Sequence, residues 1–199
     1  MTQLSNGKSD ATLIIVALGS NAPPAGVSCE ESVVKAISML RTGPFRLRRQ
    51  SALYQTPCFP EGAGPDYVNA VVLLESDLSP QDVLERLHAI EAAGARVRGE
   101  RWGNRAIDLD LLAYGDLVVP DRETFQSWRA LPAEEQTSRT PDGLILPHPR
   151  IQDRAFVLVP LCDVAPDWAH PILGRTAAQM LAALPPAARA AIRPLARAE

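Results

Sequence analysis

The chain has 199 residues, 46% of them hydrophobic, and a formal net charge of −3 at pH 7. This length predicts one domain, and the hydrophobic content is enough to bury a sizeable core, which excludes a largely disordered chain. A general nucleic-acid binder usually carries a basic excess, and the overall charge does not show one. The cysteines, Cys29, Cys58 and Cys162, are far apart and lack CxxC spacing, so neither a disulfide framework nor a zinc site is expected.

The sequence has no apolar run near the roughly 20 residues that cross a membrane, and no signal-peptide pattern. We therefore expect a cytoplasmic protein with no membrane partner. The first residues, 1–11, are polar and predict a disordered leader.

Short apolar runs, separated by turn signals, divide the first half of the chain into strands and helices. In chain order the predicted elements are strand 13–18, helix 29–40, strand 46–54, strand 67–74, a helix that Ser79 caps and Pro80 begins, and strand 106–112. This βαββαβ order predicts an α+β, ferredoxin-like fold, with an antiparallel sheet and helices on its faces.

The remainder of the chain is predicted to extend this core. We expect one domain over 12–175 that carries a polar, Pro-rich insertion at 120–143. An Ala-rich C-terminal extension at 176–199 predicts a helical tail that breaks at Pro185-Pro186.

The segment RAIDLDLL contains two acidic residues at strand spacing. In a strand, Asp108 and Asp110 share one face while Ile107, Leu109 and Leu111 point to the other. Two carboxylates on one exposed face are hard oxygen ligands of the kind that Mg²⁺ prefers. Taken alone, the spacing is equally compatible with surface aspartates that form salt bridges.

Four arginines precede this strand in a segment, 94–105, that also contains three glycines. They are Arg96, Arg98, Arg101 and Arg105. Arginines near paired carboxylates suit a site that handles ATP, and a glycine-containing loop could close over the ligand to deliver them. The phosphate-binding segment GxxxxGK[ST] is absent, which excludes a nucleotide site of the P-loop type.

Other polar and aromatic residues are weaker signals. Tyr67 and Asn69 alternate onto one strand face and suit a flat heterocycle. In isolation, the pair is more typical of an ordinary edge-strand tyrosine and a turn-forming asparagine. His148, Arg150 and Arg154 form a third group, followed by Phe156, in which a histidine after proline is often structural.

Taken together, these segments resemble one family, the 6-hydroxymethyl-7,8-dihydropterin pyrophosphokinases of folate biosynthesis. The matching segments are ALGSN (17–21), YQTP (54–57), DYVNA (66–70), RVRGERWGNRAIDLDLL (96–112), LPHPR (146–150) and RAFVLVPL (154–161). They occur in the family's order over roughly residues 13 to 171. The resemblance implies the same ferredoxin-like fold and transfer of a diphosphate from ATP to the hydroxymethyl group of the reduced pterin, with release of AMP.

The resemblance also implies a set of site residues. Two Mg²⁺ ions that bridge ATP would be held by Asp108 and Asp110, and the catalytic loop arginines would be Arg96 and Arg105. The implied pterin contacts are Thr56, Pro57, Phe59, Tyr67, Asn69, Trp102 and Phe156. The implied ATP contacts are Glu91, Arg98, Arg101, His148 and Arg154. The implied partners are these small molecules alone, without nucleic acid or membrane, and the protein is expected to be a monomer.

The chain departs from the family pattern at three places. Ala95 stands where the family usually has glycine, and Asn104 replaces the proline of RWGPR. An arginine usually found shortly before the PHP segment has no clear match, and Arg139 in the insertion is a possible substitute. Three rival functions stay open: an RNA-binding domain of the same fold, an enzyme acting on another hydroxymethyl heterocycle, and a pterin-binding domain without activity.

Overall fold

The computed structural model describes residues 11–58, 64–94, 106–132, 135 and 139–196. The strands are β1 (Thr12–Ser20), β2 (Arg46–Gln50), β3 (Tyr54–Thr56), β4 (Tyr67–Ser76), β5 (Asp108–Tyr114) and β6 (Arg193–Pro194). The helices are α1 (Cys29–Thr42), α2 (Pro80–Gly94), α3 (Arg122–Arg129), α4 (Ala155–Val164), α5 (Ala177–Ala183) and α6 (Pro186–Ala190), and a short 3-10 helix covers Ile151–Asp153. The α+β fold and the order of the core elements are confirmed, except that the second predicted strand is divided.

The strand predicted over 46–54 forms two strands, β2 and β3, which pair with the same edge of β4. Between them Ser51 N donates to Val71 O (3.0 Å), and Ser51 Oγ accepts from Val71 N (3.0 Å). The side chain of Ser51 thus takes a hydrogen bond that a backbone carbonyl would otherwise accept. Because a hydroxyl oxygen accepts here in place of a carbonyl, the regular hydrogen-bond ladder is interrupted and β2 ends.

The sheet is antiparallel with the order β5-β1-β4-β3-β6, and helices cover both of its faces. On one face Ile14, Val16 and Leu18 of β1 lie in a buried core shared with α1 and α2. The alternate residue Ile15 lies in a second core with Val71, α4 and α5. The strand period of two therefore assigns each side chain of β1 to one of two helical layers.

Serine side chains begin the two helices of the first layer. Ser28 and Glu31 form a reciprocal capping box at the start of α1, with Ser28 Oγ accepting from Glu31 N at 3.0 Å. Ser79 Oγ accepts from Asp82 N at 3.2 Å at the start of α2, as the sequence predicted. These caps fix the residue at which each of the two helices begins.

The polar segment at 120–143 contains a helix, α3, that the sequence analysis did not predict. Its N-cap is Asp121, whose carboxylate accepts from Thr124 N at 2.7 Å. The segment leaves and returns at one place, because Val119 and Leu146 exchange two backbone hydrogen bonds of 2.9 Å.

The C-terminal residues also pack on the core. The predicted break at Pro185-Pro186 separates α5 from α6. Ala177 and Met180 of α5 are buried in the second core, and β6 pairs with β3. Among the helices that the structure describes, none is long and apolar enough to cross a membrane.

Candidate active site

The two aspartates of β5 lie on the face that carries α4, at a part of the sheet that this helix leaves open. Asp108 and Asp110 are half-buried, and Leu109 and Leu111 between and after them are buried in the opposite core. Across the sheet Asp108 pairs with Gly19 and Asp110 pairs with Ala17. The small side chains of β1 leave the space beside both carboxylates unfilled.

Gly19 makes room for an asparagine on the next strand. A Cβ atom added to Gly19 would lie 2.7 Å from Oδ1 of Asn69, its register partner on β4. Real Cβ atoms essentially never approach another atom this closely. Asp108, Gly19 and Asn69 therefore form one row across three strands, with the carboxylate and the amide on either side of the glycine.

A hydrogen bond sets the orientation of Asn69. Its Nδ2 donates to Oγ1 of Thr56 at 2.7 Å, and both side chains are buried. Because the amide nitrogen is engaged, the amide oxygen is the atom that lies over Gly19. The next residue of β1, Ser20, donates from Oγ to Ala106 O at 2.6 Å and ties the entry of β5 to the end of β1.

A cavity of about 300 Å³, here called the first cavity, opens above this row. Its lining residues are Ala17, Leu18, Gly19, Thr56, Pro57, Tyr67, Asn69, Asp108, Asp110, Arg154 and Phe156. Phe156 is an exposed aromatic side chain, and Tyr67 is half-buried. Burial raises the pKa of Tyr67, helped by Cys58 and Asp108, so its hydroxyl stays protonated near the acidic end of the cavity.

A second cavity of about 600 Å³ adjoins the first and shares Asp108, Asp110 and Arg154 with it. The second cavity is also lined by Glu91 and His148. The shared residues form a charged wall between two spaces, which is an arrangement suited to two ligands that meet at one point.

Arg154 lies directly against the aspartates. Its Nη1 is 3.7 Å from Oδ2 of Asp110, and its guanidinium is 5.6 Å from the centre of the Phe156 ring. Burial lowers the pKa of Arg154, an effect that Asp110 opposes, and an arginine stays charged in either case. Arg154 is therefore a fixed positive charge beside the two carboxylates.

His148 is held as a neutral side chain. Its Nδ1 accepts from Arg150 N at 3.1 Å, which leaves the proton of the neutral ring on Nε2. Burial lowers the pKa of His148 to about 3, with further contributions from Arg154 and Arg150. At neutral pH this residue offers an N–H group rather than a charge.

Glu91 connects α2 to the site. Its Oε1 accepts from Leu109 N at 2.7 Å, between the two aspartates. Since β5 is at the edge of the sheet, this contact satisfies a backbone group on the open side of the strand.

All ten of the predicted site residues that the structure describes line one or both of the two cavities. Six of the predicted site residues lie outside the described residues: Phe59, Arg96, Arg98, Arg101, Trp102 and Arg105. Sequence reasoning did not single out Ala17 or Gly19, although the small residues of ALGSN were a signal for a close approach. It also did not predict Trp128, which lines the second cavity.

The donor set fits a divalent cation that is shared with a ligand. Among the residues that the structure describes, no group of three or more His, Cys, Asp or Glu side chains is placed to hold a metal. Mg²⁺ is usually bound by one or two carboxylates together with substrate phosphates and water. The pair Asp108 and Asp110 matches that requirement if a phosphate ligand supplies the remaining oxygens.

The fold and the site define an α+β protein of ferredoxin-like fold whose paired carboxylates join two cavities. The family model of 7,8-dihydro-6-hydroxymethylpterin-pyrophosphokinase (HPPK) matches residues 15–166. The chain therefore belongs to the HPPK family.

Individual relatives agree with this assignment. The chain is 35% identical over 167 residues to 2-amino-4-hydroxy-6-hydroxymethyldihydropteridine pyrophosphokinase of Synechocystis, which covers 84% of this chain and 73% of that protein. It is 37% identical to the enzyme of the same name from Pseudomonas aeruginosa over 174 residues, or 86% of this chain and 91% of that protein.

Solved structures share the fold. A crystal structure of Plasmodium falciparum HPPK-DHPS matches with a TM-score of 0.63 and 14% identity. The match covers 89% of this chain and 45% of that chain, so this protein spans less than half the length of the Plasmodium protein.

Proposed function

We propose that this protein transfers a diphosphate from ATP to the hydroxymethyl group of 6-hydroxymethyl-7,8-dihydropterin, a step in folate biosynthesis. The products are the pterin-methyl diphosphate and AMP. Family membership supports the reaction, and one structural observation carries it: Asp108 and Asp110 lie in the wall that the two cavities share. A pterin in the first cavity and ATP in the second would meet there.

We assign the pterin to the first cavity. The Asn69 amide oxygen, oriented by Thr56, would accept from the N–H groups on the edge of the ring. Pro57 also lines this cavity, and Phe59, outside the described residues, stays a predicted pterin contact. Tyr67 and Phe156 supply aromatic faces, which suit a flat heterocycle. Trp102 lies outside the described residues and stays a predicted pterin contact.

We assign ATP to the second cavity. The ATP contacts that we expect there are Glu91, His148 and Arg154, which line this cavity. Arg98 and Arg101 lie outside the described residues and stay predicted ATP contacts. His148 would donate from Nε2 to a phosphate or sugar oxygen, because Arg150 N occupies Nδ1. Arg154 lies where it can compensate phosphate charge beside Asp110.

Asp108 and Asp110 would hold two Mg²⁺ ions together with the phosphates of ATP. Bound Mg²⁺ supplies charge neutralisation at the phosphate oxygens. Because its pKa is about 3, His148 is a weak base at neutral pH, and we do not assign it the role of general base. The residues of this chain would act mainly by position and electrostatics.

The transfer forms one bond and breaks one bond. The hydroxyl oxygen of the pterin bonds to the β-phosphorus of ATP, and the bond from that phosphorus to the oxygen that bridges the α-phosphorus breaks. AMP leaves with the bridging oxygen, and the hydroxyl proton passes to solvent. Arg96 and Arg105, which lie outside the described residues, are predicted to stabilise the charge that develops on the transferring group.

The proposed activity can be tested by product analysis. Protein, Mg²⁺, ATP and the reduced hydroxymethyl pterin are incubated, and the adenine nucleotides are separated. We expect AMP in an amount equal to the pterin diphosphate, and none with a pterin that carries a methyl group instead of the hydroxymethyl group. Formation of ADP would indicate an ordinary kinase, and absence of any nucleotide product would contradict the proposal.

We further propose the domain boundaries, the location and the oligomeric state of the protein. The pterin pyrophosphokinase domain would cover 12–175 with the insertion at 120–143, after a leader at 1–11, and 176–199 would form a C-terminal extension that begins with α5 and α6. The net charge of −3 supports a protein that acts on small molecules, without nucleic acid or membrane. We expect a cytoplasmic monomer, which size-exclusion chromatography with light scattering would test.

A further inference from the structure

The second cavity has two chemically different ends. One end is the charged wall of Asp108, Asp110 and Arg154 that it shares with the first cavity. The other end continues into a third cavity of about 620 Å³, and Trp128 and Leu144 line both of these spaces. A ligand that lies along the second cavity would therefore have its anionic part at one end and a flat or apolar part at the other.

The far end of the second cavity is built largely by the segment 120–143. Helix α3 of this segment is fixed to the body of the protein by Phe125, which is fully buried and packs edge-on against His170 with ring centres 5.3 Å apart. Arg122 Nη1 donates to Ile172 O at 3.2 Å, and the bridge between Val119 and Leu146 closes the base of the segment. Because α3 is anchored at both places, side chains on its cavity side have a defined position.

Trp128 is the side chain that this helix presents to the cavity. It follows Phe125 by three residues, so it lies on a neighbouring part of the same helical surface. The Arg139 guanidinium lies 5.5 Å from the centre of its ring, and Arg139 also forms an ion pair of 3.2 Å with Glu135. Together Trp128 and Arg139 give this end of the cavity an aromatic face and a cation.

We propose that Trp128 is a nucleotide-binding residue whose indole forms the wall against which the base of ATP packs. The inference rests on the proposed function, since it takes the triphosphate to lie at Asp108 and Asp110. A nucleotide with its phosphates at that end extends its base toward the opposite end, where Leu84 of α2 and Leu144 supply apolar contacts. Base stacking on an aromatic side chain is favourable for any base, so the wall distinguishes a nucleoside triphosphate from a bare polyphosphate.

The insertion at 120–143 thereby contributes to the ATP site. The segment 120–143 interrupts the chain between β5 and the LPHP segment, and it returns to the body at Leu146. Its Trp128 and Arg139 complete the cavity that begins at the aspartates.

The test compares a ligand that has a base with one that does not. Calorimetry measures the binding of a non-hydrolysable ATP analogue and of inorganic tripolyphosphate, both with Mg²⁺, to the wild type and to Trp128→Ala and Trp128→Phe. We expect Trp128→Ala to weaken binding of the analogue roughly tenfold and to leave the affinity for tripolyphosphate unchanged, as base stacking predicts. Trp128→Phe should retain most of the affinity. The matched control Trp168→Phe, at a tryptophan that packs beside His170, should bind both ligands as the wild type does.

A second measurement covers the case in which Trp128→Ala fails to fold. The tryptophan emission of the wild type minus that of Trp128→Phe reports on Trp128, and the ATP analogue should change this difference while tripolyphosphate should not. Unchanged analogue affinity in Trp128→Ala, equal loss of both ligands, or an unchanged difference emission would overturn the inference. Formation of AMP by the wild type in the same preparation separates these results from failure of the proposed function.

Discussion

A methyl group on Gly19 would lie 2.7 Å from Oδ1 of Asn69, so these residues on neighbouring strands share one space. The glycine is needed for the position of the amide rather than for a special backbone angle. This contact couples the ALGSN segment of β1 to Asn69 on β4, the residue that we propose binds the pterin edge.

Replacement of Gly19 by alanine should therefore displace Asn69 and break its hydrogen bond to Thr56. We expect pterin affinity to fall by roughly tenfold, the range for a lost or misplaced hydrogen bond in a buried site. Calorimetry with the pterin measures this. Gly43→Ala is the matched control, since its added Cβ would meet its nearest neighbour at an ordinary 3.7 Å. Unaltered pterin affinity in Gly19→Ala would show that Asn69 does not hold the ligand.

Asp110→Asn should remove most turnover without harm to the fold. The change keeps the shape of the side chain and removes the negative charge that a cation requires. Asp110 is half-buried and faces a cavity, so little packing is lost. We expect turnover to fall at least about a hundredfold, the scale on which a lost electrostatic contact in an active site is felt. Asp116→Asn, at an exposed position beyond β5, should keep full activity. Near-normal turnover of Asp110→Asn at limiting Mg²⁺ would refute the metal assignment.

Phe156→Ala should weaken binding of the pterin more than binding of the nucleotide. Phe156 lines the first cavity and is absent from the lining of the second. Loss of an aromatic contact is expected to cost about 1 kcal/mol or somewhat more in pterin binding. Calorimetry with the pterin and with a non-hydrolysable ATP analogue gives both effects, and Phe156→Leu separates loss of the ring from loss of volume. Equal weakening of both ligands would contradict the division into two cavities.

The buried side chain of His170 predicts how the free energy of unfolding depends on pH. His170 is fully buried, its Nδ1 accepts from Ile172 N and Leu173 N, and burial lowers its pKa to about 4. Between its ordinary pKa near 6.5 and pH 4, the unfolded state binds a proton that the folded state does not, so the free energy of unfolding falls as pH drops. From pH 7 to pH 5 this group alone should remove up to about 2 kcal/mol.

Urea unfolding at pH 7 and pH 5 measures this loss. His170→Asn retains an acceptor for the two N–H groups and cannot titrate, so it should be less stable at pH 7 but show a smaller loss at pH 5. His88→Asn, at an exposed position on α2, should keep the wild-type difference. A His170→Asn protein with the full wild-type pH dependence would place the titrating group elsewhere.

The local patterns of the sequence predicted the parts of the fold and site that depend on alternation and capping. The strand period separates Asp108 and Asp110 from the core, and Ser79 begins α2 as expected. The division of the strand at Ser51 could not be predicted, since it depends on a side-chain contact to Val71 of a distant strand. Helix α3 was missed because a single buried residue, Phe125, anchors it in a polar segment.

The role of Gly19 likewise depends on a neighbour from another strand, which no local pattern reveals. The two cavities, and the position of Trp128 at the end of one of them, are tertiary properties. The loop arginines, from Arg96 to Arg105, stay a prediction, because they lie outside the described residues.

An isotope label shows whether the pterin hydroxyl attacks the β-phosphorus of ATP. The hydroxymethyl oxygen of the pterin is labelled with ¹⁸O, the reaction is run with Mg²⁺ and ATP, and the masses of both products are measured by mass spectrometry. Attack by the hydroxyl oxygen should give a pterin-methyl diphosphate that retains the label and an AMP that has none. Labelled AMP, or a pterin monophosphate formed together with ADP, would contradict it.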